Sequence, residues 1–466
     1  MKRTHCTIAG GGLSGLFSSI LMADRFESVV LVEKSSECGG LLRSEPDDRG
    51  VYFDNGTHVP DFTSRPEIDE ILFGTPDQIE QDWTVFKLLR SGHFFGGRWS
   101  DQGNSIDARA LPEEDYCRAV VEFLSRNELS AESNLAAYLL ETMGPTLTTK
   151  LYAPIAEKLY GARADQLITT SSVSYFGLTR LIAFTPCVTD KLKELEVFDS
   201  KLAAHAVEGY HRRAGKAAHA THLYPKQRGV GFWTERLVNI ALSKGVRILT
   251  NESIESIGAE QRVISSVRLG TSKKTIPCDY LVWTAPPAQA LRAASISTGE
   301  DPTIYRTTSI FNYSFDEKIV NKKALYLWNW DPAYRGFRIT LYPNLRPHLP
   351  GNDLTVEVLS RPEEASDISL KDICQEVLEL GIVPQEAKVL RESRKVLHNT
   401  FPVPTPEHEQ AVYGYLQQLE DAFENIMIAG RFGGKAWFHK DVVCDVYDKI
   451  RALDESRLEV TTIGGR

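Results

Sequence analysis

The sequence predicts an α/β fold in which a parallel sheet is built from distant parts of the chain and is joined to a second, α+β domain. Three observations predict it. A strand, a glycine-rich turn and a helix open the chain, an apolar strand near residue 280 ends in two prolines, and an apolar strand near residue 426 runs into another glycine turn. Strands that alternate with helices and glycine turns are typical of parallel α/β sheets.

The opening segment, residues 8–33, has the pattern of a dinucleotide-binding unit. Gly10 permits a tight turn, Gly12 lets the backbone approach a pyrophosphate, and Gly15 lets the helix pack closely on the strand. The phosphates would lie at the N-terminus of the helix, where free amides and the helix dipole favour negative charge. Glu33 ends the second strand, near the interval at which a carboxylate meets a ribose hydroxyl. The segment therefore predicts a Rossmann-like dinucleotide site.

Two further segments make the prediction more specific: C-G-G-L-L-R at 38–43 and F-D-N-G-T-H at 53–58. With the glycine turn and Glu33, they resemble the FAD-binding front end of the amine oxidase and protoporphyrinogen oxidase superfamily, which includes the UDP-galactopyranose mutases. The resemblance implies FAD as the cofactor, with Gly39-Gly40 beside the flavin-side phosphate and ribitol and His58 against the flavin. Taken alone, the two glycines would indicate only a loop, and His58 a buried structural histidine.

The middle of the chain resembles the same family. Residues 224–238 are similar to its Y-P-x-G-G-x-x-x-L helix, although Gln227 and Arg228 displace the second glycine of that turn. The next strand, which reaches Ile254, resembles the one whose backbone lies against the adenine. Residues 279–287 form an apolar strand that Pro286 and Pro287 stop, which predicts a domain boundary there.

The resemblance assigns a set of residues to FAD binding from both ends of the chain. They are Gly10, Gly12, Leu13, Ser14, Gly15, Glu33, Lys34, Gly39, Gly40, Leu41, Arg43, Thr57, His58, Ile254, Gly430 and Arg431.

The C-terminal junction distinguishes between branches of the superfamily. Gly430-Arg431 follows an apolar strand, and Trp437, His439 and Asp441 are predicted to lie on the helix after it. The mutases and their relatives have Gly-Arg here, whereas the classical oxidases have Gly-Asp or Gly-Glu. Where the mutases have a tyrosine that binds the substrate diphosphate, this chain has Trp437, and their aspartate is matched by His439, so the resemblance implies a related site with a different substrate.

A second arginine belongs to the same comparison. Arg338, in the run F-R-I-T, resembles the mutase arginine that grips a sugar-nucleotide diphosphate, work that suits a planar, permanently charged fork. An exposed strand position is the alternative interpretation of this residue. The candidate catalytic residues are His58, Arg338, Arg431, Trp437 and His439.

The other segments are assigned to the substrate domain. Between 67 and 222 the signals are helical, with a helix start at Pro112 and the three acidic residues after it, which predicts a helical substrate or cap domain. Between 288 and 395 strands are predicted before a helix that carries Ile373 and Val377 on one face. These strands are expected at 309–313, 324–328, 337–342 and 354–358. The FAD-binding domain would then be discontinuous and comprise 1–66, 223–287 and 396–466.

Bulk properties exclude several classes of protein. A formal net charge of −9 argues against a general nucleic-acid binder. Seven scattered cysteines without a C-x-x-C pair predict reduced thiols, with neither a disulfide framework nor a zinc site. No apolar run is long enough to span a membrane, and the first strand begins too near Met1 for a signal peptide, so a cytoplasmic location is expected. These properties are compatible with a homo-oligomer.

The segment from His205 to His222 carries four histidines and several basic residues. Its spacing admits a metal site, but neither a carboxylate nor a cysteine completes a ligand set, so no metal is predicted. A solvated basic loop and a phosphate-facing flap are the other interpretations.

Three functions follow from the sequence. The first is an FAD-dependent oxidoreductase that acts on a sugar nucleotide or related small molecule in polysaccharide or glycoside biosynthesis. The second is a redox-neutral nucleotide-sugar mutase, in which the reduced flavin is the nucleophile. The third is a non-catalytic flavin-binding scaffold.

Overall fold

The computed structural model describes residues 3–126, 132–178, 180–205, 209, 222–433 and 437–463, without the side chains of residues 3 and 454–463. Most of the basic segment between His205 and His222 therefore lies outside the described residues. The chain divides into two compact units. The first unit comprises Met1–Thr84, Leu223–Pro302 and Glu409–Arg466, and the second comprises Val85–His222 and Thr303–His408.

The strands of the described residues are numbered here in chain order. They are β1 (Arg3–Ala9), β2 (Phe26–Val32), β3 (Ser44–Pro46), β4 (Tyr52–Asp54), β5 (Trp83–Phe86), β6 (Ser91–Phe95), β7 (Arg98–Ser100), β8 (Ile106–Asp107), β9 (Leu181–Ile182), β10 (His222–Pro225), β11 (Arg247–Leu249), β12 (Ile254–Glu260), β13 (Val263–Leu269), β14 (Thr275–Pro277), β15 (Tyr280–Trp283), β16 (Tyr305–Phe315), β17 (Tyr326–Asn329), β18 (Gly336–Leu341), β19 (Asp353–Ser360), β20 (Val389–Pro402) and β21 (Ile426–Ile428).

The helices of the same residues are numbered likewise. They are α1 (Leu13–Met22), α2 (Pro66–Phe73), α3 (Pro76–Asp82), α4 (Glu113–Leu124), α5 (Leu135–Thr142), α6 (Pro145–Leu147), α7 (Ala153–Tyr160), α8 (Thr169–Phe176), α9 (Pro186–Leu192), α10 (Glu196–Lys201), α11 (Gly231–Ser243), α12 (Pro287–Ala293), α13 (Tyr342–Leu345), α14 (Leu370–Glu379), α15 (Pro406–Ala422) and α16 (His439–Ile463). A π-helical turn, Thr148–Tyr152, joins α6 to α7.

The first unit contains a five-stranded parallel sheet in the order β11-β2-β1-β15-β21. Its central strands are apolar on both faces, as expected of a parallel sheet that is covered on both sides. Helix α1 is almost entirely buried and packs against α11 and α16. An antiparallel sheet of β12, β13 and β14 adds to the core beside it. This confirms the predicted α/β class.

The second unit contains a seven-stranded sheet in the order β20-β16-β19-β18-β17-β6-β7. Neighbouring strands are antiparallel except β17 and β6, which are parallel. Apolar clusters cover both faces, because successive residues such as Leu327 and Trp328 belong to different clusters. Helices α4 to α8 supply much of the cluster that contains Trp328, and α14 packs into the other with Ile373 and Val377.

The two units differ from the predicted three-part division. The helices of residues 67–222 and the sheet of residues 288–395 share one core, since Trp328 and Phe337 belong to the same cluster as Phe123 of α4. Residues 396–408 also belong to the second unit, because β20 pairs with β16 as far as Pro402. Conversely, α2 packs against α11 of the first unit, which extends that unit to Thr84.

Candidate functional site

The glycine turn before α1 has the shape that the sequence predicts. Gly10 has a φ of +103°, and a Cβ built on it would lie 2.3 Å from Oγ1 of Thr284. A Cβ on Gly15 would lie 1.8 Å from the carbonyl oxygen of Gly10, so only glycine allows α1 to approach the turn this closely. A Cβ on Gly12 would meet no atom of the described residues within 4 Å. Among those residues, the space beside the Gly12 backbone is open.

Glu33 closes this turn. Its carboxylate is buried and accepts hydrogen bonds from the backbone N–H of Gly11 at 2.7 Å and of Ser35 at 2.8 Å. A carboxylate offers about four acceptor positions, so two remain for other donors such as ribose hydroxyls. The Glu33 carbonyl accepts from the N–H of Glu252 at 2.9 Å, which brings the segment before β12 alongside.

The turn at Gly39-Gly40 packs directly on the first turn. The N–H of Gly39 donates to the carbonyl of Gly11 at 2.8 Å, and a Cβ on Gly40 would lie 3.4 Å from the Cα of Gly12. Nε of Arg43 donates to the carbonyl of Gly40 at 3.2 Å. The turn at residues 10–15 and the turn at Gly39-Gly40, which the resemblance assigns to one cofactor site, are thus neighbours in space.

Cys38 lies beneath the same turn. Its Sγ would be 2.7 Å from a Cβ placed on Gly11, and burial, followed by the nearby Glu33 carboxylate, raises its pKa to about 11. The side chain is therefore a neutral thiol near pH 7.

Asp54, in the F-D-x-G-x-H segment, has a structural role. It is 1% exposed, accepts a hydrogen bond from the hydroxyl of Tyr224, and accepts the N–H of Val230 at 2.9 Å. The N–H of Gly231, at the start of α11, donates to Oγ of Ser44 at 2.7 Å. These bonds fix the loop in which Gln227 and Arg228 replace the family's second glycine.

The C-terminal junction meets α1 at its first turn. Gly430 has a φ of +78°, and a Cβ on it would lie 3.0 Å from Oγ of Ser14. Nζ of Lys449 donates to the carbonyl of Gly433, which holds the end of the junction in place. Helix α16 begins at His439, so the prediction that Trp437 lies on this helix is wrong. The chain between Gly430 and α16 first forms a 3₁₀ turn, Gly430–Phe432, which the glycine pattern did not indicate.

Four of the predicted catalytic residues lie in the first unit and form two contacts. The guanidinium of Arg431 lies over the ring of Trp437, 4.4 Å from its centroid. The rings of His58 and His439 are 5.4 Å apart. Trp233 of α11, which the sequence did not single out, contacts His439 edge-on at 5.8 Å between centroids.

Asp61 is a second residue that sequence reasoning missed. Burial raises its pKa to about 6, nearby Lys440 lowers it, and nearby Asp441 raises it further. Both neighbours directly follow His439, so Asp61 lies at the start of α16. Its position three residues after His58 was the available signal, and perturbed carboxylates of this kind are common at functional sites.

The fifth predicted catalytic residue, Arg338, belongs to the second unit and is held by a carboxylate. Its Nε and Nη2 each donate to Glu357 at 2.7 Å, and its guanidinium lies over the rings of Trp328 and Phe337. Glu357 is almost fully buried, whereas the Arg338 side chain is 23% exposed. Burial lowers the pKa of Arg338, but the charge of Glu357 and its hydrogen bonds outweigh burial and raise it.

The remaining predicted cofactor residues differ in how exposed they are. Leu13 is buried at the start of α1, Thr57 is buried beside His58, Leu41 is half-buried, and Lys34 is exposed after β2. Ile254 begins β12 and packs against the apolar cluster beneath β2. Among the described residues, no group of three or more His, Cys, Asp or Glu side chains is placed to hold a metal ion.

The residues present fit a dinucleotide. Helix α1 has no side-chain cap and no acidic residue in its first turn, so its first amides are available to a phosphate. The open space at Gly12 and the acceptor capacity of Glu33 fit the pyrophosphate and ribose of the same ligand. The fold and site therefore define a dinucleotide-binding Rossmann protein.

Comparisons with known proteins agree with this class. Residues 8–72 match the family model of the NAD(P)-binding Rossmann-like domain. The chain is 26% identical over 298 residues to 4,4'-diaponeurosporene oxygenase of Staphylococcus aureus, an alignment that covers 60% of this chain and 55% of that protein. The chain thus spans about half the length of the curated relatives it matches.

Solved structures extend the likeness over nearly the whole chain. Reduced UDP-galactopyranose mutase matches with a TM-score of 0.70 and 18% identity, over 95% of this chain and 91% of that one. A protein from Exiguobacterium sp. 255-15, assigned by name as a protoporphyrinogen oxidase, matches with a TM-score of 0.68 and 16% identity, over 98% and 100%. The chain therefore has the same fold as these two structures, in agreement with the resemblance seen in the sequence. All three names denote enzymes.

The described part of the chain contains no helix with both the length and the apolar character that crossing a membrane requires.

Proposed function

We propose that this protein is an FAD-dependent oxidoreductase. The observation that carries the proposal is the meeting of three glycine segments at the start of α1: the turn at 10–15, the turn at Gly39-Gly40, and the junction at Gly430. The first turn alone would suit any dinucleotide. The other two match the positions that the superfamily resemblance gives to the flavin half of FAD, which supports FAD over a nicotinamide cofactor.

The chain's own residues would hold the cofactor through backbone and carboxylate contacts. The first amides of α1 would bind the pyrophosphate, and the Glu33 carboxylate would accept hydrogen bonds from the ribose hydroxyls. Gly39-Gly40 lies beside the flavin-side phosphate, and Arg43 fixes that turn through the carbonyl of Gly40. Bound there, FAD would supply a hydride acceptor for a substrate C–H bond next to a C–N, C–C or C–O bond that becomes double, and a second acceptor would reoxidise it.

His58, His439 and Asp61 are the residues proposed to manage the proton that such an oxidation releases. The two imidazole rings are in contact, and Asp61 lies by the residues that follow His439. A carboxyl group with a pKa of about 6 can exchange a proton with imidazole groups near neutral pH. Arg431, stacked on Trp437, presents a cation and an indole face to the ligand.

The substrate proposed first is an uncharged, unsaturated molecule in place of the sugar nucleotide that the sequence suggested. Arg338 is neutralised by Glu357, so the pair attracts a diphosphate far less than a lone arginine would. The sequence relative from Staphylococcus aureus is named as an oxygenase of diaponeurosporene, which supports an unsaturated substrate. A cytoplasmic location remains a prediction of the sequence.

The second candidate is the redox-neutral nucleotide-sugar mutase. Two observations favour it: the Gly430-Arg431 pair, which resembles the mutase branch, and the TM-score of 0.70 with UDP-galactopyranose mutase. Arg431 would then contact the diphosphate, and Trp437 would take the place of the mutase tyrosine.

An anaerobic assay on the full chain loaded with FAD separates the candidates. Long-chain polyenes in micelles, amines and UDP-sugars are each added to oxidised protein and to protein reduced with dithionite. Loss of the oxidised flavin absorbance on adding a polyene is the expected result, and the same loss with an amine alone would overturn the uncharged substrate. Conversion of a UDP-sugar to an isomer of equal mass, only with reduced protein, would overturn the oxidoreductase in favour of the mutase. Failure of the protein to bind FAD would overturn both.

Arg431→Leu tests the junction. Because the guanidinium is half-buried and stacked on Trp437, we expect ligand or FAD binding to weaken about tenfold, with a smaller effect on the unfolding midpoint. Arg262→Leu, at an exposed arginine of the same unit, is the matched control. Unchanged kinetics and FAD retention in Arg431→Leu would show that the junction does not contact the ligand.

A further inference from the structure

A separate pocket lies in the second unit, away from the glycine turns in sequence. It has a volume of about 360 Å³ and is formed by the β6–β7 hairpin and the segment Asp107–Ala110. Pockets of this size hold small-molecule ligands. None of its lining residues belongs to the first unit.

One face of the hairpin forms the floor of the pocket. His93 is paired with Ser100, and Phe95 with Arg98, so these four residues share a face. Phe94 and Trp99 contact each other on the opposite face, with ring centroids 5.1 Å apart. The pocket floor thus combines an imidazole, a phenyl ring, a guanidinium and a hydroxyl.

His93 offers a hydrogen-bond acceptor to a ligand in the pocket. It is 1% exposed, and its Nδ1 lies 2.8 Å from the carbonyl oxygen of Gly103. Because a carbonyl only accepts, Nδ1 carries the proton and Nε2 has a free lone pair. Burial lowers the pKa of His93, which keeps the ring neutral. The one hydrogen bond of the His93 ring to the described residues is made by Nδ1, and His93 lines the pocket, so Nε2 is an acceptor available to a ligand.

Two arginines offer donors. Arg109 donates through Nε and Nη2 to Asp107, at 2.9 and 2.6 Å, which leaves the two N–H groups of Nη1. Arg98 is exposed and forms no ion pair with any described residue. Asp107 offsets one of the two positive charges, so the pocket keeps a net positive charge near neutral pH. Arginine donors in this number suit a phosphate or carboxylate.

We propose that this pocket binds a monophosphorylated sugar or polyol. The phosphate lies between Arg98 and Nη1 of Arg109, and a ligand hydroxyl donates to Nε2 of His93. The C–H face of the ligand packs on Phe95, and the hydroxyl of Ser100 donates to a second ligand oxygen. The site uses no residue of the dinucleotide region, so it stands or falls independently of the proposed function.

The test is calorimetric titration of the full FAD-loaded chain with glucose 6-phosphate, with glucose and inorganic phosphate as reference probes. We expect glucose 6-phosphate to bind at least tenfold more tightly than either reference. Arg98→Gln should weaken its binding about tenfold, since it removes an exposed cation without disturbing the core. Arg118→Gln, at an exposed arginine of α4, is the control and should bind as the wild type does.

His93→Asn tests the acceptor, because asparagine can keep the bond to the Gly103 carbonyl while it lacks Nε2. Its binding should also weaken about tenfold, without an increase in KM or loss of flavin reduction in the oxidoreductase assay. The absence of binding by the wild type would overturn the proposal. So would equal affinity for inorganic phosphate, or unchanged affinity in Arg98→Gln.

Discussion

The two regions that the sequence resemblance singled out, the glycine turns of the first unit and the arginine strand of the second, are built in opposite ways. At the glycine turns, the site depends on the absence of side chains. A Cβ on Gly15 would clash with the Gly10 carbonyl, and no described residue lies within 4 Å of a Cβ placed on Gly12. On the arginine strand, one side chain is fixed by another, since Nε and Nη2 of Arg338 both donate to the Glu357 carboxylate. The first region depends on local backbone geometry, the second on which strands are neighbours.

The largest expected effect is that of Gly15→Ala. The new Cβ would lie 1.8 Å from a backbone oxygen that has little freedom to move. We expect a loss of about 3 kcal/mol in the free energy of unfolding, together with loss of FAD binding. Denaturant unfolding followed by circular dichroism measures the change. An unfolding midpoint equal to that of the wild type would contradict the close approach.

Glu357→Gln tests the arginine strand through the same quantity, the free energy of unfolding. It leaves the Arg338 guanidinium partly buried without its counter-charge, which should lower the free energy of unfolding by about 3 kcal/mol. The double variant Arg338→Met, Glu357→Leu should recover most of that loss, because it removes both charges. A double variant as unstable as Glu357→Gln would show that packing, and not the ion pair, is responsible.

Gly12→Ala tests whether Gly12 contributes to FAD binding in a variant whose folding is unaffected. Its Cβ would meet no atom of the described part of the chain within 4 Å, so the variant should fold normally, but the methyl group would occupy the space proposed for the pyrophosphate. We expect FAD affinity to fall about tenfold to a hundredfold, measured by titrating apoprotein with FAD. Gly414→Ala, another glycine whose Cβ would meet nothing within 4 Å, is the control. Equal FAD affinity in the two variants would remove Gly12 from the site.

Asp61→Asn should have the smallest effect, and the effect should depend on pH. Burial raises the pKa of Asp61 from 3.8 to about 6, so the folded protein binds this proton more tightly than the unfolded chain does. The free energy of unfolding therefore falls as pH rises from about 4 to 6.

The Asp61→Asn variant lacks this titration. It should be about 1 to 2 kcal/mol more stable than the wild type at pH 7, with little difference near pH 4. Urea unfolding at both pH values measures the difference in stability between the variant and the wild type. Asp24→Asn, at an exposed position, is the control. A gain of equal size at both pH values would contradict the raised pKa.

The sequence predicted the backbone-built region well, because its constraints are local or carried by glycine. Gly10, Gly12 and Gly15 lie within one turn, and each has a distinct steric role. The contact of Gly39 with Gly11 and of Gly430 with Ser14 could be anticipated only from the superfamily resemblance, since nothing in the residues themselves specifies it.

The side-chain contacts were harder to predict, because they depend on strand register. Arg338 and Glu357 were both within recognised segments, but their pairing follows from the register of β18 against β19. The strand β20 was not predicted at all, since its sequence is mostly polar and exposed, and its pairing with β16 moved a domain boundary. Asp61 was missed because its environment comes from the start of α16.

The five-stranded sheet also has a consequence for synthesis of the chain. The ribosome makes β1 and β2 first. The other edge of β1 can pair only after β15 has been made, and the other edge of β15 can pair only after β21, Ile426–Ile428, has been made. At about 5 to 20 residues per second, that takes on the order of 20 to 90 s. During this time apolar strand edges are unpaired and prone to associate with other chains. The first unit is therefore expected to depend on chaperones during translation more than its final stability would indicate.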